Sequence, residues 1–282
     1  MNICFVVNKN YIGELKVALK SLFETNKEEI NIYLLENDLT DTDQADLTRY
    51  VNSFGSSINY IKMSDEYFTG LPKMGYDKSY TAYFKIMIPY VLNNLDKVLY
   101  LDCDLLVRKN LSDLYNRDTH NFISAALDIK MNKNKKDHIK NICGIDTKYF
   151  NSGVILFDFK YSNDIVPKEA MMDYILSNKD VIKYHDQDIL NHFYYDSFDE
   201  IDECYNSHTI YYSVKELFSN KRLKKAYIVH YANWKPWNSN YIGKAYKMYL
   251  KEYNSIKRNE NLNYLKRRNI FSMLKLIFKY IF

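Results

Sequence analysis

Two aspartates at the end of an apolar run are the residues of this sequence best suited to chemistry. Asp102 and Asp104 follow the run Lys97-Val-Leu-Tyr-Leu101, and Leu105-Leu-Val107 comes after them. Residues two apart in a strand point to one face, so an extended backbone directs both carboxylates the same way. Two carboxylates at the end of a buried strand destabilise the fold unless a cation neutralises their charge. Carboxylate oxygens are suitable ligands for Mg²⁺ or Mn²⁺. The pair therefore predicts a divalent-metal site, with structural capping as the alternative.

Haloacid-dehalogenase phosphatases also carry a strand that ends in an aspartate pair. Their pair normally lies near the N-terminus, with Thr or Val at the second position after the second aspartate. Here Leu106 stands at that position, and 101 residues precede the pair. A metal-dependent phosphatase or nucleotidyltransferase therefore fits less well and is kept as an alternative.

Glycine is scarce, with 7 in 282 residues, and this shortage excludes two glycine-rich phosphate loops. A dinucleotide fingerprint needs three glycines within six residues, and no window of the sequence supplies them. Gly70 to Gly75 has the spacing of a P-loop, but Tyr76-Asp77 separates Gly75 from Lys78. The P-loop lysine must directly follow the second glycine to reach the phosphates.

The strands and helices that position the aspartates are predicted from apolar runs that alternate with segments of helical spacing. The runs predict strands at residues 3–7, 30–35, 58–63, 97–107, 122–127 and 154–159. Helical spacing and capping residues predict helices at residues 12–23, about 38–54, 80–92 with a break near Pro89, and 167–176. Alternating strands and helices predict an open α/β sheet, in which ligands lie at the carboxyl ends of the strands.

Five separated segments together resemble glycosyltransferase family 8. The resemblance covers most of residues 1–240, and the segments stand in the order that the family has. They are Phe5-Val-Val-Asn-Lys-Asn-Tyr11, Tyr100-Leu-Asp-Cys-Asp104, Tyr149-Phe-Asn-Ser-Gly-Val154, His185-Asp-Gln-Asp-Ile-Leu-Asn191 and His230-Tyr-Ala-Asn-Trp-Lys-Pro-Trp237.

The resemblance implies a GT-A fold, a single Rossmann-like mixed sheet flanked by helices. The glycosyltransferase domain would span residues 1–250, and residues 251–282 would form a C-terminal helical tail. The family consists of retaining enzymes that use UDP-sugars, including galactosyl- and glucosyltransferases of lipopolysaccharide and capsule assembly. We therefore expect transfer of a hexose from UDP-galactose or UDP-glucose to a saccharide acceptor. A non-catalytic nucleotide-sugar-binding relative is the other alternative.

The resemblance also assigns the residues around the donor. Asp102, Asp104 and His230 would hold Mn²⁺ (or Mg²⁺) against the pyrophosphate. Lys235 would meet the pyrophosphate, where charge grows as the sugar–phosphate bond breaks; a fixed cation there stabilises the transition state. The family's other donor contacts fall on Val6, Asn8, Asn10, Tyr11, Lys85, Cys103, Asn151, Ser152, Gly153 and Asn233.

At the sugar end, the resemblance places Asp128, Asp186 and Gln187 beside the transferred hexose, together with Asn151. Gln187 would lie on the face of the anomeric carbon opposite the leaving group. A helix N-cap is the alternative role for Asp186, and Asp188 is expected to support structure. Because an amide is a poor nucleophile, we expect same-face attack through an ion-pair transition state.

Three positions depart from the family pattern. Asn8 stands where relatives often have Asp on the uracil, and Lys85 stands where Arg is common. The last segment is one residue shorter than in many relatives, with Asn233 near the usual Gly. Lys85 lacks the two parallel N–H donors of an Arg guanidinium, so it would hold the donor less firmly. None of the three departures removes a metal ligand. Residues 129–148 and 205–222 are expected to be acceptor-side loops.

Residues 251–282 carry eight basic and two acidic side chains, a net charge of +6, which leaves residues 1–250 at −2. An apolar face formed by Ile270, Leu274, Ile277, Phe278 and Ile281 opposes a basic face with Arg268, Lys275 and Lys279. This pattern predicts a helix that lies on anionic lipid but is too short to span it. Docking on the folded body is the alternative, and nucleic-acid binding is not expected.

The remaining features favour the cytoplasm. The four cysteines (Cys4, Cys103, Cys143 and Cys204) form no CxxC pair, so free thiols in a reducing compartment are expected. The five apolar residues before Asn8-Lys9 are too few for a secretory signal, and no run approaches a membrane span. We therefore expect a cytoplasmic protein, peripherally associated with the inner face of the membrane.

Overall fold

A computed structural model describes residues 1–71, 73, 79–209, 221–232, 235–237 and 244–257. The chain divides into two compact units, each assembled from separated segments. The first unit comprises Met1–Lys9, Glu28–Asp102 and Asp113–Asp202. The second comprises the described parts of Asn10–Lys27, Cys103–Ser112 and Glu203–Phe282.

Ten strands are described. In chain order they are β1 Asn2–Val6, β2 Asn31–Glu36, β3 Ser57–Lys62, β4 Lys97–Leu101, β5 Leu105–Val107, β6 Ile123–Leu127, β7 Phe150–Asp158, β8 Phe198–Glu200, β9 Ser207–His208 and β10 Ile228–His230.

The described α-helices alternate with these strands along most of the chain. They are α1 Ile12–Thr25, α2 Asp41–Asn52, α3 Ile88–Val91, α4 Ser112–Tyr115, α5 Ile129–Asn134, α6 Lys136–Cys143, α7 Lys168–Ser177, α8 His185–Tyr194, α9 Lys221–Lys225 and α10 Lys244–Lys257. Short 3-10 helices occupy Lys9–Tyr11, Asp65–Phe68, Thr81–Met87, Phe159–Asp164 and Glu203–Asn206.

The first unit contains a seven-stranded mixed sheet in the order β3-β2-β1-β4-β7-β6-β8. Strands β3, β2, β1 and β4 are parallel, whereas β7 runs antiparallel to both β4 and β6. The start of β7 therefore lies beside the carboxyl end of β4, and the Asp102 N–H donates to the Gly153 carbonyl at 2.9 Å. This arrangement brings two of the sequence motifs to one edge of the sheet.

Burial explains why these segments form the sheet. All nine residues of β7 are buried, as are four of the five in β4. Aromatic and aliphatic side chains from α8 and from the 3-10 helix Thr81–Met87 pack into the same core. Strands that are buried on both faces are apolar at nearly every position rather than at every second one. They therefore appear in the sequence as continuous apolar runs.

Two helical predictions meet different outcomes. Thr40 caps α2 through a capping box with Asp43, so the helix expected from the Asp38–Asp43 segment is confirmed. The break expected near Pro89 takes the form of a change in helix type: a 3-10 helix over Thr81–Met87 is followed by α3 from Ile88, and Pro89 lies in the first turn of α3. Proline is tolerated there because the first N–H groups of a helix have no intrahelical partner.

The second unit contains a three-stranded sheet in the order β5-β10-β9. Strand β10 is antiparallel to β5 and parallel to β9. Its core gathers side chains from α1, from the sheet and from α10, including Val17, Leu106, Val229 and Tyr249. Lys20 of α1 ion-pairs with Glu252 of α10 at 2.7 Å.

The mixed α/β sheet flanked by helices confirms the predicted fold class, and three details correct it. The run at residues 97–107 forms two strands in different sheets, β4 and β5, with the aspartate pair in the bend between them. The second sheet was not expected. Residues 129–148, expected to be a loop, contain α5 and α6.

The predicted domain boundary at residue 250 falls inside α10, where Tyr253 and Ile256 are buried. Residues 258–282, which include the predicted amphipathic faces, lie outside the described residues. Charge also divides by unit: the described residues carry a net −10 in the first unit and +9 in the second. In the described part of the chain, no helix combines the length and apolarity needed to cross a bilayer.

Truncation tests whether the second unit ends at the predicted boundary, residue 250, or at the end of α10, residue 257. A chain that ends at residue 250 loses Tyr253 and Ile256 from the core of the second unit. We expect its free energy of unfolding to fall by roughly 3–6 kcal/mol relative to a chain that ends at residue 257. Urea denaturation of the two truncated proteins measures the difference, and equal stability would contradict this account of α10.

Candidate active site

A buried ammonium group lies among carboxylates in the first unit. Lys85 Nζ is 2.8 Å from Asp186 Oδ2 and 3.1 Å from Asp102 Oδ1. It also donates to Ser152 Oγ at 3.4 Å and lies 4.7 Å from the centroid of the Tyr100 ring. Burial alone would lower the pKa of Lys85, but the two aspartates raise it overall above its ordinary value. Lys85 is therefore charged and joins two of the predicted site residues.

Asp186 is held as an ion-pair partner, not as a helix cap. It is the second residue of α8, whose N-cap is Tyr184, so the alternative capping role is wrong. Its Oδ2 accepts from Ser152 Oγ at 2.6 Å as well as from Lys85. The predicted sugar-side carboxylate is thereby fixed against the start of β7.

Gln187 is oriented by contacts on both ends of its amide. Its Oε1 accepts from Asn151 Nδ2 at 2.7 Å and from the Ser152 N–H at 3.3 Å. Its Nε2 donates to Asp128 Oδ2 at 3.3 Å. Asp128 follows β6 and caps α5 by accepting the Met131 N–H. Three of the predicted sugar-side residues are thus in one hydrogen-bonded group.

Asp188 supports structure, as the sequence predicted. Its buried carboxylate accepts from Tyr149 Oη at 2.5 Å and His138 Nε2 at 2.8 Å. The other oxygen accepts the N–H groups of Lys183 and Tyr184 at 2.7 and 2.8 Å. Asp188 thus ties α6 and the residue before β7 to the start of α8, whereas Asp186 contacts Lys85.

The backbone at His185 turns sharply just before Asp186 and Gln187. Its φ of 51° lies in the left-handed region, which residues other than glycine rarely adopt. The Asp188 carboxylate binds the two N–H groups that precede this turn, so the turn is held by side-chain contacts. Strain held in this way is common beside functional residues.

A second charged cluster lies wholly in the second unit. Asp104 Oδ1 is 3.2 Å from His230 Nε2, and Asp104 Oδ2 contacts Lys235 Nζ. Burial alone would raise the pKa of Asp104, but Lys235 and His230 lower it well below its ordinary value. His230 Nδ1 lies 2.8 Å from Asn206 Oδ1. An N–H on Nδ1 that donates to this amide oxygen leaves Nε2 as the ring nitrogen that faces Asp104.

Glu14, on the first turn of α1, is a further buried carboxylate in this unit. Its Oε2 atom is buried and has no hydrogen-bond partner. The pKa of Glu14 is raised to about 7, chiefly by burial and also by Asp104, while a backbone hydrogen bond and Lys235 oppose the rise. Glu14 therefore lies within electrostatic range of both members of the Asp104–Lys235 pair.

Aromatic rings border the same cluster. Trp237 packs edge to face on Tyr11 with a centroid separation of 6.4 Å. Lys235 Nζ lies 5.9 Å from the Trp237 ring centroid. The Tyr11 ring is partly exposed, so an aromatic face accompanies the charged groups of the second unit.

The other predicted donor contacts are placed as follows. Val6 ends β1, Asn8 follows it and is buried, and Asn10 lies in the 3-10 helix Lys9–Tyr11. Cys103 is buried in the bend between β4 and β5. Asn233 lies outside the described residues. Because Asp102 and Asp104 flank Cys103 in a bend, strand alternation does not govern where their carboxylates point.

Three residues of these clusters had no role assigned from the sequence. Tyr100 donates its hydroxyl to Asp102 Oδ1 at 2.5 Å, and its position two residues earlier in the motif is a signal that was available. Asn206 left no comparable signal, because it meets His230 through tertiary folding, and Glu14 left none either.

Asp102, Asp104 and His230 offer two carboxylates and an imidazole. That donor set suits a divalent ion such as Mn²⁺ or Mg²⁺. The contact between His230 Nδ1 and Asn206 is the kind of outer hydrogen bond that orients a metal-binding histidine. These residues thus fit a metal ion chemically.

A sequence model described as "Glycosyl transferase family 8" matches residues 2–241. The chain belongs to glycosyl transferase family 8. The resemblance noted from the five motifs is thereby confirmed, and with it the class of the protein, a glycosyltransferase. The fold comparison agrees. A crystal structure of the family 8 galactosyltransferase LgtC, in complex with donor and acceptor sugar analogues, superimposes with a TM-score of 0.78 at 25% identity, covering 90% of this chain and 96% of that one.

Curated relatives of this family 8 chain are diverse. General stress protein A of Bacillus subtilis is 27% identical, covering 85% of this chain and 88% of the relative. The lipopolysaccharide 1,3-galactosyltransferase of Salmonella typhimurium is 25% identical, covering 84% and 73%. The chain spans only 58% of the length of a Haemophilus influenzae relative, so some relatives are considerably longer.

Replacing Lys85 tests its role as the shared counter-ion of this family 8 protein. Lys85→Met leaves Asp102 and Asp186 without their ammonium partner, and we expect a loss of roughly 3–5 kcal/mol in the free energy of unfolding. Lys85→Arg keeps the charge and should lose less. The exposed Lys136, which pairs with exposed Asp146 at 3.2 Å, is the control: Lys136→Met should cost no more than about 1 kcal/mol. Denaturant unfolding compares the three variants, and equal losses for Lys85→Met and Lys136→Met would contradict the assignment.

Proposed function

We propose that this chain is a metal-dependent, retaining hexosyltransferase. It moves galactose or glucose from a UDP-sugar to a saccharide or lipid-linked acceptor in the synthesis of a cell-surface polysaccharide or lipooligosaccharide. The observation that carries the proposal is the hydrogen-bonded group around Gln187, which joins Asn151, Asp128 and Ser152 in a member of a glycosyltransferase family. The names of lipopolysaccharide glycosyltransferases among the relatives support the acceptor class.

In this proposal Asp102, Asp104 and His230 bind Mn²⁺ or Mg²⁺ at the donor pyrophosphate. A bound divalent ion supplies Lewis-acid stabilisation of the departing UDP. The chain's own contribution is to orient the ligands: Asn206 fixes the His230 ring, and Tyr100 fixes the Asp102 carboxylate. The Lys235 ammonium adds positive charge where negative charge grows on the leaving phosphate, which lowers the barrier.

The sugar end is proposed to consist of Asp128, Asp186, Asn151 and Gln187. Hydroxyl groups of a hexose need paired donors and acceptors, and these carboxylates and amides supply both. The Gln187 carbonyl oxygen already accepts from Asn151 and from Ser152. An amide oxygen held by two donors is a weak nucleophile, which supports same-face attack on the anomeric carbon with a leaving phosphate oxygen as the base.

At the nucleotide end, we propose that Val6, Asn8, Asn10 and Tyr11 contact the UDP moiety, with Cys103 contributing its backbone. The buried amide of Asn8 can accept from the uracil imide N–H through its carbonyl oxygen. Gly153 and Asn233 complete the donor contacts implied by the motifs.

We also propose that the protein associates peripherally with the inner face of the cytoplasmic membrane through residues 251–282. The sequence pattern of the tail supports this, as does the net +9 on the described residues of the second unit. Helix α9 alone has four basic side chains among its five residues. Juxtaposed basic residues are attracted to anionic lipid headgroups.

A panel of UDP-hexoses tests the reaction. We expect Mn²⁺-dependent release of UDP with UDP-galactose or UDP-glucose, and its loss in Asp104→Ala, because that change removes a proposed metal ligand and the partner of His230. A coupled assay for UDP measures the rates. Exposed Asp180→Ala is the control and should retain activity.

Other outcomes of the panel separate the alternatives. Donor binding without UDP release would indicate a non-catalytic sugar-binding relative. Release of inorganic phosphate from phosphate esters would indicate a phosphatase. Mass spectrometry of the intact protein with donor tests the mechanism, and a hexose trapped on Asp128 or Asp186 would exclude same-face attack.

Vesicle binding tests the membrane proposal. Deleting residues 262–282 should release the protein from vesicles that contain anionic lipid, while Mn²⁺-dependent UDP-sugar hydrolysis persists. Sedimentation with anionic and with uncharged vesicles measures binding. A second variant that neutralises Lys221, Lys224 and Lys225 shows whether α9 contributes. Unchanged sedimentation after deletion of residues 262–282 would defeat the proposed role of the tail.

A further inference from the structure

The Asp104 carboxylate has an ammonium partner within the second unit. Its Oδ2 contacts Lys235 Nζ, and its Oδ1 lies 3.2 Å from His230 Nε2. Asp104 is buried, and of the two groups that lower its pKa, Lys235 acts more strongly than His230. The Lys235 ammonium is therefore the main positive charge that compensates this buried carboxylate.

The proposed function, on which this inference rests, assigns the same carboxylate to a divalent ion. A divalent ion and an ammonium on one carboxylate repel each other, and salt and water screen that repulsion little at a buried position. Each cation therefore weakens the binding of the other at Asp104. One of the two has to give way before the other can bind tightly.

Lys85 stands beside the other proposed carboxylate ligand, Asp102, but it is fixed in place. Lys85 is 5% exposed and pairs with both Asp102 and Asp186, at 3.1 and 2.8 Å. The Lys235 side chain is 26% exposed, and within the described residues its ion pair is with Asp104 alone. A buried ammonium that leaves two carboxylates strands three charges, whereas a partly exposed one with a single partner can regain water. Lys235 is therefore the ammonium that can move away.

We propose that Lys235 competes with the metal ion for Asp104, and that this competition makes tight metal binding depend on the donor. Without a donor, the ammonium has to give up Asp104 before an ion can bind there. The donor pyrophosphate offers the displaced ammonium a new anionic partner, so it relieves the competition. Lys235 therefore couples the two ligands: the donor raises the affinity for the metal, and by linkage the metal raises the affinity for the donor equally.

Metal affinity in the absence of donor is the direct readout. The full chain is titrated with Mn²⁺, and free Mn²⁺ is measured by electron paramagnetic resonance. We expect Lys235→Met to bind Mn²⁺ about tenfold more tightly than the wild type, because the ion no longer has to displace a charged hydrogen-bond partner of Asp104. An affinity that is unchanged or weaker in Lys235→Met would overturn the proposal.

Two further variants control for charge. Lys235→Arg keeps a competing cation and should stay within about threefold of the wild-type affinity, since a guanidinium also pairs with a carboxylate. Exposed Lys247 lies on α10 of the same unit, and Lys247→Met removes the same charge away from Asp104. Its Mn²⁺ affinity should stay within about twofold. A gain in Lys247→Met equal to that in Lys235→Met would reduce the effect to net charge and overturn the proposal.

The coupling to the donor is measured with UDP. Calorimetric titration gives the UDP affinity with saturating Mn²⁺ and with a chelator, and the ratio of the two affinities is the coupling. We expect this ratio to be about tenfold larger in the wild type than in Lys235→Met, because only the wild type has an ammonium to transfer from Asp104 to the pyrophosphate. Equal ratios in the two proteins would contradict the proposed coupling.

Chemical labelling of the wild-type protein tests the displacement even if Lys235→Met does not fold. Reductive methylation followed by mass spectrometry measures the reactivity of the Lys235 amine relative to that of Lys247. We expect Mn²⁺ to raise the relative reactivity of Lys235, since an ammonium held by a carboxylate is shielded from the reagent, and UDP added with Mn²⁺ to lower it again. A relative reactivity that Mn²⁺ does not change would overturn the proposal.

The same titrations separate this inference from the proposed function. Asp104→Asn should abolish tight Mn²⁺ binding. If the wild-type chain binds no Mn²⁺ with or without UDP, both the metal role and the competition are wrong. If it binds Mn²⁺ through Asp104 and Lys235→Met binds no more tightly, the competition alone is wrong and the metal role stands.

Discussion

Two carboxylates of the first unit, Asp102 after β4 and Asp186 on α8, depend on one buried ammonium group, that of Lys85. Asp102 and Asp186 come from segments that are far apart in the sequence, and both lie within 3.1 Å of Lys85 Nζ. Two such carboxylates close together would repel each other and resist burial. Their shared counter-ion makes the close approach of β4, β7 and α8 possible, and the orientation of Gln187 follows, because Gln187 is the next residue of α8.

Much of the fold could be predicted because burial and periodicity leave a trace in the sequence. Strands β1, β2 and β3 coincide with short apolar runs, and α2 begins at a capping box centred on Thr40. The parts that escaped prediction carry little local signal. Strand β9 has two residues, and β8 and β10 have three each, so their pairing is decided by distant neighbours. Helices α5 and α6 lie where the sequence predicts a loop, because polar residues dominate them; Met131, Ile139 and Ile142 supply their buried side.

The sequence predicted which residues belong to the site more readily than which residues contact one another. The apolar run pointed to Asp102 and Asp104, and the resemblance to family 8 pointed to Asp186 and Gln187. No spacing rule could have predicted that Asn206 would fix the His230 ring. The two residues are 24 positions apart, and they meet only when the 3-10 helix Glu203–Asn206 and strand β10 have folded together. The role of Asp188 was foreseen from its offset from Asp186, although its four hydrogen-bond partners were not.

The pairing of α1 with α10 has a consequence for how the protein is made. Lys20 and Glu252 are 232 residues apart in the sequence, and the buried face of α1 packs into a core that α10 completes. During synthesis that face must wait until nearly all of the described chain has left the ribosome. Contacts of such long range slow folding, and the waiting apolar face is open to aggregation. The second unit is therefore the part whose completion should depend most on chaperones and on the integrity of the chain's last described helix.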